Sequence, residues 1–334
     1  IALDTEFSGL DKDKPDLRHK NFEVRFRAMR DMVNRYAIVQ FGLSFARRNN
    51  SEADSSFRYR ALSFNFHVVQ MNPYMIAPHS LVFLAQHGVS LTEIYRNGIQ
   101  FSLPGVAPVT ADCSDRLSQL WSALAQAKKP LVMHNGLADL MFIWKSFFAL
   151  LPEASLDWIA HMTRAFPNVY DTKYVAEYVA RDKATYLQHV FRLAQFRKTV
   201  EFECVRVPVP SQPPLRQTAI PSDATTVKTV DGKSTYYCES YALHGNCKVR
   251  NCALSHDVGF IVAVQEAKRL GKSLDLQHLP KLLDPESTRT VSETKEHGGC
   301  ACACAGHPDD TGRRSMLTGA LALAALAPMA MVSG

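Results

Sequence analysis

Ile1-Ala2-Leu3-Asp4-Thr5-Glu6-Phe7-Ser8-Gly9-Leu10 opens the chain as an apolar run that ends in two acids and a glycine turn. Side chains two residues apart in a strand point to the same face, so a strand here directs Asp4 and Glu6 to one spot. Two adjacent carboxylates repel each other unless a proton or a cation lies between them. Mg²⁺ takes such oxygen ligands and keeps other positions for water and phosphate. The stretch therefore suggests a metal-dependent phosphoryl-transfer site, with two solvated acids on an exposed edge strand as the alternative.

Length and composition set broad limits on the protein. With 334 residues the chain can form one large domain and an appendage. A formal net charge of +6 suits a polyanionic partner. Six of the eight cysteines fall in two short windows, 238–252 and 300–304, which indicates metal binding in a reducing compartment rather than a disulfide framework. The chain lacks an initiator Met, and we expect it to be a fragment or a trimmed chain.

Short apolar strand patterns alternate with helical patterns over the first 200 residues. This alternation predicts an α/β sheet with helices on both of its faces. One of the predicted helices spans 174–195. The predicted organisation is a core at 1–206, a Pro/Ser/Thr-rich linker at 207–232, a Cys/His finger at 233–258, a charged helix with a poorly ordered linker at 259–312, and a divergent closing helix at 313–334.

A second acidic motif is His134-Asn135-Gly136-Leu137-Ala138-Asp139, where a strand is predicted to turn into a helix. The helix dipole favours a carboxylate in the first turn, so helix capping alone is enough to explain Asp139. Open α/β sheets, however, place their sites where strands end, and there Asp139 would join Asp4 and Glu6. Asp171 precedes the next predicted helix and is interpreted as its N-cap.

The cysteine spacing Cys238-x8-Cys247-x4-Cys252-x3-His256 is the most specific pattern in the chain. Three thiolates and one imidazole satisfy a closed tetrahedral Zn²⁺ site without a packed core. Tyr237 and Tyr241 lie beside these ligands and are predicted to bind substrate, because aromatic rings stack on unpaired nucleic-acid bases. The alternative is three buried cysteines with an incidental histidine.

Taken together, these motifs resemble those of the DEDD deadenylase family, in the branch of poly(A)-specific ribonuclease and the Caf-type nucleases. The motif D-x-E-F-x-G matches residues 4–9, and the other segments of resemblance are 38–43, 94–99, 134–139 and 170–174. They cover roughly residues 1–200 in the expected order. A CCCH finger after this core narrows the resemblance to nuclear members of the family.

The resemblance implies an RNase-H-like α/β fold, a mixed sheet flanked by helices, with a small CCCH zinc finger. It implies 3′-to-5′ hydrolysis of adenosine-rich RNA tails, with two Mg²⁺ ions held by Asp4, Glu6 and Asp139. Phe7 would be a platform for the terminal base or part of the core. The finger would hold a structural Zn²⁺ and add RNA affinity. Other RNA-processing proteins are further expected partners, and the expected location is the nucleus, with the cytoplasm as the alternative.

The far end of the chain departs from the family pattern. The family closes its site with a histidine five residues before a fourth aspartate, and Ser315-Met316-Leu317-Thr318-Gly319 fits the tail that follows. Ungapped counting, however, puts Arg314 at the aspartate. Either His307 with Asp309 or Asp310 takes these roles after a small insertion, or this end does not belong to the family. The competing function is then a catalytically inactive pseudo-nuclease that binds RNA through its fold and finger.

The apolar stretch 316–332 has two interpretations. It is borderline in length for a membrane span, which needs about 20 residues, and Pro328 interrupts it. A packed closing helix is therefore expected, with a tail anchor as the alternative. No membrane partner is predicted.

Overall fold

A computed structural model describes residues 1–11, 14–48, 57–107, 116–197, 200–205, 228–230, 233–235 and 237–271. The described residues form two compact units. The first contains Ile1–Ala46 and Ser63–Tyr174, and the second contains Arg47–Leu62 and the described residues from Val175 onwards. Nearly all of the predicted linker at 207–232, the polar stretch after residue 271 and the predicted closing helix at 313–334 lie outside the described residues.

The strands follow the predicted alternation with helices. They are β1 (Ala2–Phe7), β2 (Ile38–Arg48), β3 (Phe57–Gln70), β4 (Ile99–Phe101), β5 (Leu131–Met133), β6 (Val169–Asp171), β7 (Val200–Val205), β8 (Lys228–Val230) and β9 (Lys233–Thr235). The α-helices are α1 (Phe22–Arg35), α2 (Pro78–Gln86), α3 (Leu91–Asn97), α4 (Arg116–Gln126), α5 (Leu137–Phe147), α6 (Ser155–Ala165), α7 (Thr172–Tyr174), α8 (Leu187–Phe196), α9 (Glu239–His244) and α10 (Val258–Arg269).

The main sheet is mixed, and β1 occupies an interior position in it. The strand order is β4-β3-β2-β1-β5-β6, and β7 pairs in parallel with the first half of β3. Strand β1 runs antiparallel to β2 and parallel to β5. Ala2 of β1 pairs with Val132 of β5, so the acidic half of β1 extends beyond the short strand β5. This geometry leaves room beside Thr5 for the chain that follows β5.

Helices flank this sheet within the first unit. Three large rings, Phe41 of β2, Trp121 of α4 and Phe147 of α5, lie with centroids 5.5–6.0 Å apart and form the centre of the core. Helix α1 buries one face, as its apolar spacing predicts. Its N-terminus is capped by Asn21, whose side chain accepts hydrogen bonds from the Glu23 and Val24 N–H groups. The predicted α/β class with a mixed sheet flanked by helices is confirmed.

The single helix predicted over 174–195 is wrong. Helix α7 continues into a π-helical turn, Val175–Val179, and α8 begins only at Leu187. Arg181 has a left-handed backbone conformation with φ of 54°, which ends helical progression. The apolar spacing on either side gave no sign of this break.

No helix within the described parts of the chain is long and apolar enough to cross a membrane. The stretch 316–332, for which a tail anchor was the alternative, lies outside those parts.

Candidate metal sites

Strand β1 holds the two carboxylates of the opening motif in a rigid setting. Asp4 pairs with Gly42 and Glu6 with Gln40 of β2, so their backbone positions are fixed by the sheet. Asp4 is only 9% exposed, and Glu6 is half-buried. The two side chains point to one face because they are two residues apart in a strand. The alternative of two solvated acids on an edge strand does not fit this interior position.

Asp139 lies beside the same strand. It is in the first turn of α5 and is only 7% exposed. Its Oδ1 atom accepts hydrogen bonds from the backbone N–H of Thr5 at 3.1 Å and from the Thr5 hydroxyl at 2.5 Å. Thr5 separates Asp4 from Glu6 in the sequence. The structure therefore brings the three predicted acids, hereafter the carboxylate trio, to one short segment of β1.

The turn that precedes α5 brings Asp139 to this segment. Asn135 has a left-handed conformation with φ of 59°, which asparagine tolerates better than most residues. Gly136 is required by close packing, because an added Cβ would lie 2.1 Å from the Met133 sulfur. The Nδ1 atom of His134 lies 2.9 Å from the Thr172 hydroxyl, which also donates to the Met133 carbonyl.

Asp171 holds this turn from the end of β6. Its Oδ1 accepts hydrogen bonds from the backbone N–H groups of Asn135 at 2.9 Å, Lys173 at 2.9 Å and Tyr174 at 3.3 Å. Its Oδ2 accepts from the Gly136 N–H at 2.9 Å. The bonds to Lys173 and Tyr174 match the predicted N-cap. The bonds to Asn135 and Gly136 were not foreseen, because no local sequence pattern connects residues 35 positions apart.

The donor set of the carboxylate trio fits a hard divalent cation. All three residues offer carboxylate oxygens, which Mg²⁺ prefers over nitrogen or sulfur. Two of the three are buried, and a buried carboxylate stays ionised only where hydrogen bonds or a cation compensate its charge. The predicted His307 and Asp310, as well as Arg314, lie outside the described residues.

Phe7 lies next to the trio and belongs partly to the core. Its ring stacks on Phe142 of α5, with centroids 4.1 Å apart and an interplanar angle of 24°. The residue is half-buried, so one face of the ring is occupied by protein. Only the other face can serve as the predicted base platform.

The second candidate site is the Cys/His cluster, which consists of Cys238, Cys247, Cys252 and His256. The ligand atoms of all four residues lie within 4.8 Å of one another. The Sγ atoms of Cys238 and Cys247 are 3.7 Å apart, much longer than a disulfide bond. Zn–S bonds of about 2.3 Å in a tetrahedron require a sulfur separation of about 3.8 Å. The cluster therefore fits Zn²⁺ in donor chemistry and in spacing.

Backbone N–H groups are directed at two of the sulfurs. The Tyr241 N–H donates to Cys238 at 3.5 Å, so that Cys238 also caps α9. The Val249 N–H donates to Cys247 at 3.4 Å, and this bond lowers the pKa of the Cys247 thiol. Burial raises the pKa of the Cys238 thiol to about 11. A bound metal deprotonates a ligating thiol, which overcomes such a shift.

His256 completes the cluster in a suitable state. Its Nε2 atom is buried and has no hydrogen-bond partner among the described residues, as expected of an atom reserved for a metal. Burial lowers the pKa of His256, which favours the neutral imidazole that a metal requires. The ring stacks on Tyr241 with centroids 4.4 Å apart and an interplanar angle of 9°.

The prediction that Tyr241 stacks on a base is contradicted by this arrangement. Tyr241 is 4% exposed, and its ring shields His256 instead of facing solvent. Helical spacing from the Cys238 cap turns the side chain inward, which a list of nearby aromatics cannot reveal. Tyr237 is half-buried, and the Lys268 ammonium lies 5.9 Å from its ring centroid.

The Cys/His cluster is not a free-standing module. It shares a hydrophobic core with α8 and α10. The predicted organisation assigned α8 to the core at 1–206 and nearly all of α10 to the segment 259–312. The members of this core from the two helices are Leu193 and Phe196 of α8 and Val258, Ile261 and Val262 of α10. Gly245 ends α9 in a left-handed conformation, with φ of 68°, against the Tyr186 ring. The cluster therefore depends on these helices as well as on its ligands.

The chain is similar to known ribonucleases over most of its length. The family model described as CAF1 family ribonuclease matches residues 1–104 and 110–281. The 3'-5' exoribonuclease parn-1 of Caenorhabditis elegans is 29% identical over 104 residues, which are 30% of this chain and 17% of that protein. The probable CCR4-associated factor 1 homolog 7 of Arabidopsis thaliana is 23% identical over 185 residues, which are 53% of this chain and 62% of that protein.

A solved structure with a similar chain is Pop2p of S. pombe in its Mg²⁺- and Mn²⁺-bound form. The TM-score is 0.42 at 19% identity, and the match covers 58% of this chain and 71% of that chain. The curated relatives are matched over less than two thirds of their own length.

Proposed function

The chain belongs to the CAF1 family of ribonucleases, and from this premise we propose that it is a Mg²⁺-dependent 3′-to-5′ exoribonuclease that shortens adenosine-rich RNA tails. The observation that carries the proposal is the pair of hydrogen bonds from Thr5 to Asp139, which join the third acid to the strand of the other two. The names of the relatives parn-1 and the pre-piRNA 3'-exonuclease trimmer of Bombyx mori support the direction of hydrolysis.

The proposed chemistry assigns a role to each member of the carboxylate trio. Asp4, Glu6 and Asp139 would hold two Mg²⁺ ions through their oxygens. Bound at such a site, the ions lower the pKa of a water molecule and stabilise the leaving 3′ oxygen. The trio itself supplies negative charge in a largely buried setting, where electrostatic interactions are stronger than in water. The open face of the Phe7 ring would pack against the terminal base.

The fourth carboxylate is proposed to be Asp310, with His307 as its partner. Both residues stand in the segment where the family pattern requires an aspartate and a histidine, displaced by a small insertion from the position that Arg314 occupies. If Arg314 itself occupies the fourth position, its positive charge would repel a metal ion, and the chain would be an RNA-binding pseudo-nuclease.

The Cys/His cluster is proposed to bind one structural Zn²⁺ and to support RNA binding outside the active site. Its donor set and the 3.7 Å sulfur separation support the zinc assignment. Exposed cations near the cluster, Lys248, Arg250 and Lys268, would contact phosphates, and Tyr237 would offer the remaining part of its ring. Tyr241 has no part in this contact because it is buried.

The proposed partners are RNA with an adenosine-rich 3′ tail and other RNA-processing proteins. A nuclear location is proposed from the resemblance to the CCCH-finger deadenylase known as target of early-growth-response 1, with the cytoplasm as the alternative. Microscopy of the tagged chain would test the location directly.

The test of the activity is a gel assay on a 5′-labelled RNA that ends in a run of adenosines. We expect a ladder that shortens from the 3′ end with Mg²⁺ and disappears with EDTA. An RNA of the same length that ends in uridines should be shortened more slowly. Binding of the RNA without any shortening would reject the nuclease and favour the pseudo-nuclease.

A further inference from the structure

We propose that Asp171 is a positioning residue for the carboxylate trio, which acts on metal binding by fixing the turn from which Asp139 is presented. This inference rests on the proposed function, because it assigns Asp139 to a metal. It concerns a residue that the sequence explains fully as the N-cap of the following helix, and it gives that residue a second task.

The hydrogen bonds of Asp171 are divided between two segments of the chain. Two bonds go to the N–H groups of Lys173 and Tyr174 and are sufficient for a cap. The other two go to the N–H groups of Asn135 and Gly136, both at 2.9 Å. Hydrogen bonds to a carboxylate are about twice as strong as those between neutral groups. A cap alone does not require these two bonds.

Asp171 accepts the backbone hydrogen bonds of the two residues that form this turn. Asn135 is exposed and has a left-handed conformation, which costs energy in a residue other than glycine. Gly136 follows it directly and precedes the first residue of α5. Without the Asp171 carboxylate, two adjacent N–H groups would lose their acceptors, and the turn would be free to adopt other conformations.

The position of this turn determines the position of Asp139. Asp139 lies three residues after Gly136, within the first turn of α5, so a rotation of the helix start displaces its carboxylate. The acceptor atom of Asp139 is 2.5 Å from the Thr5 hydroxyl and 3.1 Å from the Thr5 N–H, which tolerates little displacement. The geometry thus connects Asp171 to β1 through Asp139.

The same four bonds argue against a direct metal role for Asp171. Both of its oxygens already accept hydrogen bonds, three at Oδ1 and one at Oδ2. A carboxylate has about four acceptor sites in total. Asp171 is therefore a poor substitute for the fourth carboxylate, although it stands in a segment that resembles the family.

The test measures Mn²⁺ binding to the intact chain by electron paramagnetic resonance, which needs no RNA and no turnover. Asp171→Ala should weaken Mn²⁺ binding about tenfold, the lower end of the loss seen when groups that orient metal ligands are removed. Asp171→Asn keeps one acceptor oxygen and should give a smaller loss. It also provides a second variant in case the alanine chain does not fold.

The control for a lost cap is Asn21→Ala in the same unit. It removes the two N-cap bonds of α1, so it should lower the melting temperature without changing Mn²⁺ affinity. In an Asp139→Asn background, Asp171→Ala should add less than about a twofold loss, because Asp171 acts through Asp139.

The outcomes separate this inference from the proposed function. Unchanged Mn²⁺ affinity in Asp171→Ala, with a lowered melting temperature, would make Asp171 a cap only and overturn the inference while leaving the metal site in place. If Asp171→Ala still weakens Mn²⁺ binding tenfold in the Asp139→Asn background, the inference would also be overturned. Failure of the parent chain to bind Mn²⁺ would reject the proposed metal site and the inference together.

Discussion

The carboxylate trio and the Cys/His cluster both suit metal ions, but the chain builds them in opposite ways. The trio takes hard oxygen ligands from an interior strand and from a helix start 134 residues away in sequence, as measured from Thr5 to Asp139. The cluster takes soft sulfur and nitrogen ligands from one short segment, residues 238–256. Pairing with β2 fixes the backbone of Asp4 and Glu6, whereas the cluster is surrounded by a small core to which α8, α9 and α10 contribute.

This difference suggests a division of labour. A metal held by carboxylates on a rigid strand can exchange waters and meet a phosphate, which chemistry requires. A metal enclosed by three thiolates and an imidazole has no open position and serves to hold the chain together. Loss of the first metal should therefore affect activity, and loss of the second should affect folding of its own unit.

The largest expected effect concerns the trio. The double substitution Asp4→Ala with Glu6→Ala should reduce RNA shortening by about 10³-fold or more, because bound metal contributes several kcal/mol to the transition state. RNA binding and zinc content should not change. The matched control replaces two exposed acids, Glu153 and Asp157, by alanine and should shorten RNA at the parent rate. Parent-level activity in the first double variant would reject the metal assignment.

The next effect concerns the cluster. Cys247→Ser should abolish bound zinc, as measured by mass spectrometry, because three ligands bind much more weakly than four. It should also loosen α8 and α10, which share a core with the cluster, because small metal modules fold with their ion. Backbone amides in the first unit should exchange hydrogen as slowly as they do in the parent chain. Cys113→Ser, a change outside the cluster, serves as the control. Full zinc content in Cys247→Ser would contradict the assignment.

The third prediction concerns the pH dependence of the stability of the first unit. Lys145 lies in α5, the helix of Asp139, and is 2% exposed, with its ammonium donating to the carbonyls of Val33 and Tyr36. Burial lowers the pKa of Lys145 from 10.5 to about 8. Between pH 8 and 10.5 Lys145 is protonated in the unfolded chain and has lost its proton in the folded chain. The free energy of unfolding therefore rises with pH over this range, by up to about 3 kcal/mol.

Urea unfolding of the first unit at pH 8 to 10.5 measures this rise. Lys145→Met should flatten the curve, whereas Lys129→Met, at an exposed position, should leave it unchanged. An identical curve for Lys145→Met and the parent chain would show that the buried ammonium does not govern this range.

The smallest effect concerns Thr5. Thr5→Val keeps the shape of the side chain and the backbone bond to Asp139 but removes the hydroxyl bond of 2.5 Å. The Mg²⁺ concentration for half-maximal RNA shortening should rise about tenfold, with the rate at saturating Mg²⁺ nearly restored. Thr5→Ser retains the hydroxyl and should behave like the parent chain. Equal Mg²⁺ requirements for the valine and serine variants would show that the Thr5 hydroxyl does not support metal binding.

Sequence patterns predicted which described residues lie in the carboxylate trio and in the Cys/His cluster, but not the contacts that support them. Asp4 and Glu6 followed from strand periodicity, and the Cys/His cluster from its spacing, because both rules act over a few residues. The bonds of Asp171 to the turn before α5 connect distant segments and left no local signal. The inward orientation of Tyr241 and the break at Arg181 depend on packing and on backbone conformation, which composition does not encode.

Anomalous X-ray scattering from crystals of the intact chain grown with Mn²⁺ would test the two-site account most directly. Data at the manganese and zinc absorption edges locate each metal independently. We expect manganese beside Asp4, Glu6 and Asp139 and zinc within the Cys/His cluster. Zinc-edge density at the carboxylate trio, or a trio without manganese in crystals that hold zinc at the cluster, would contradict this expectation.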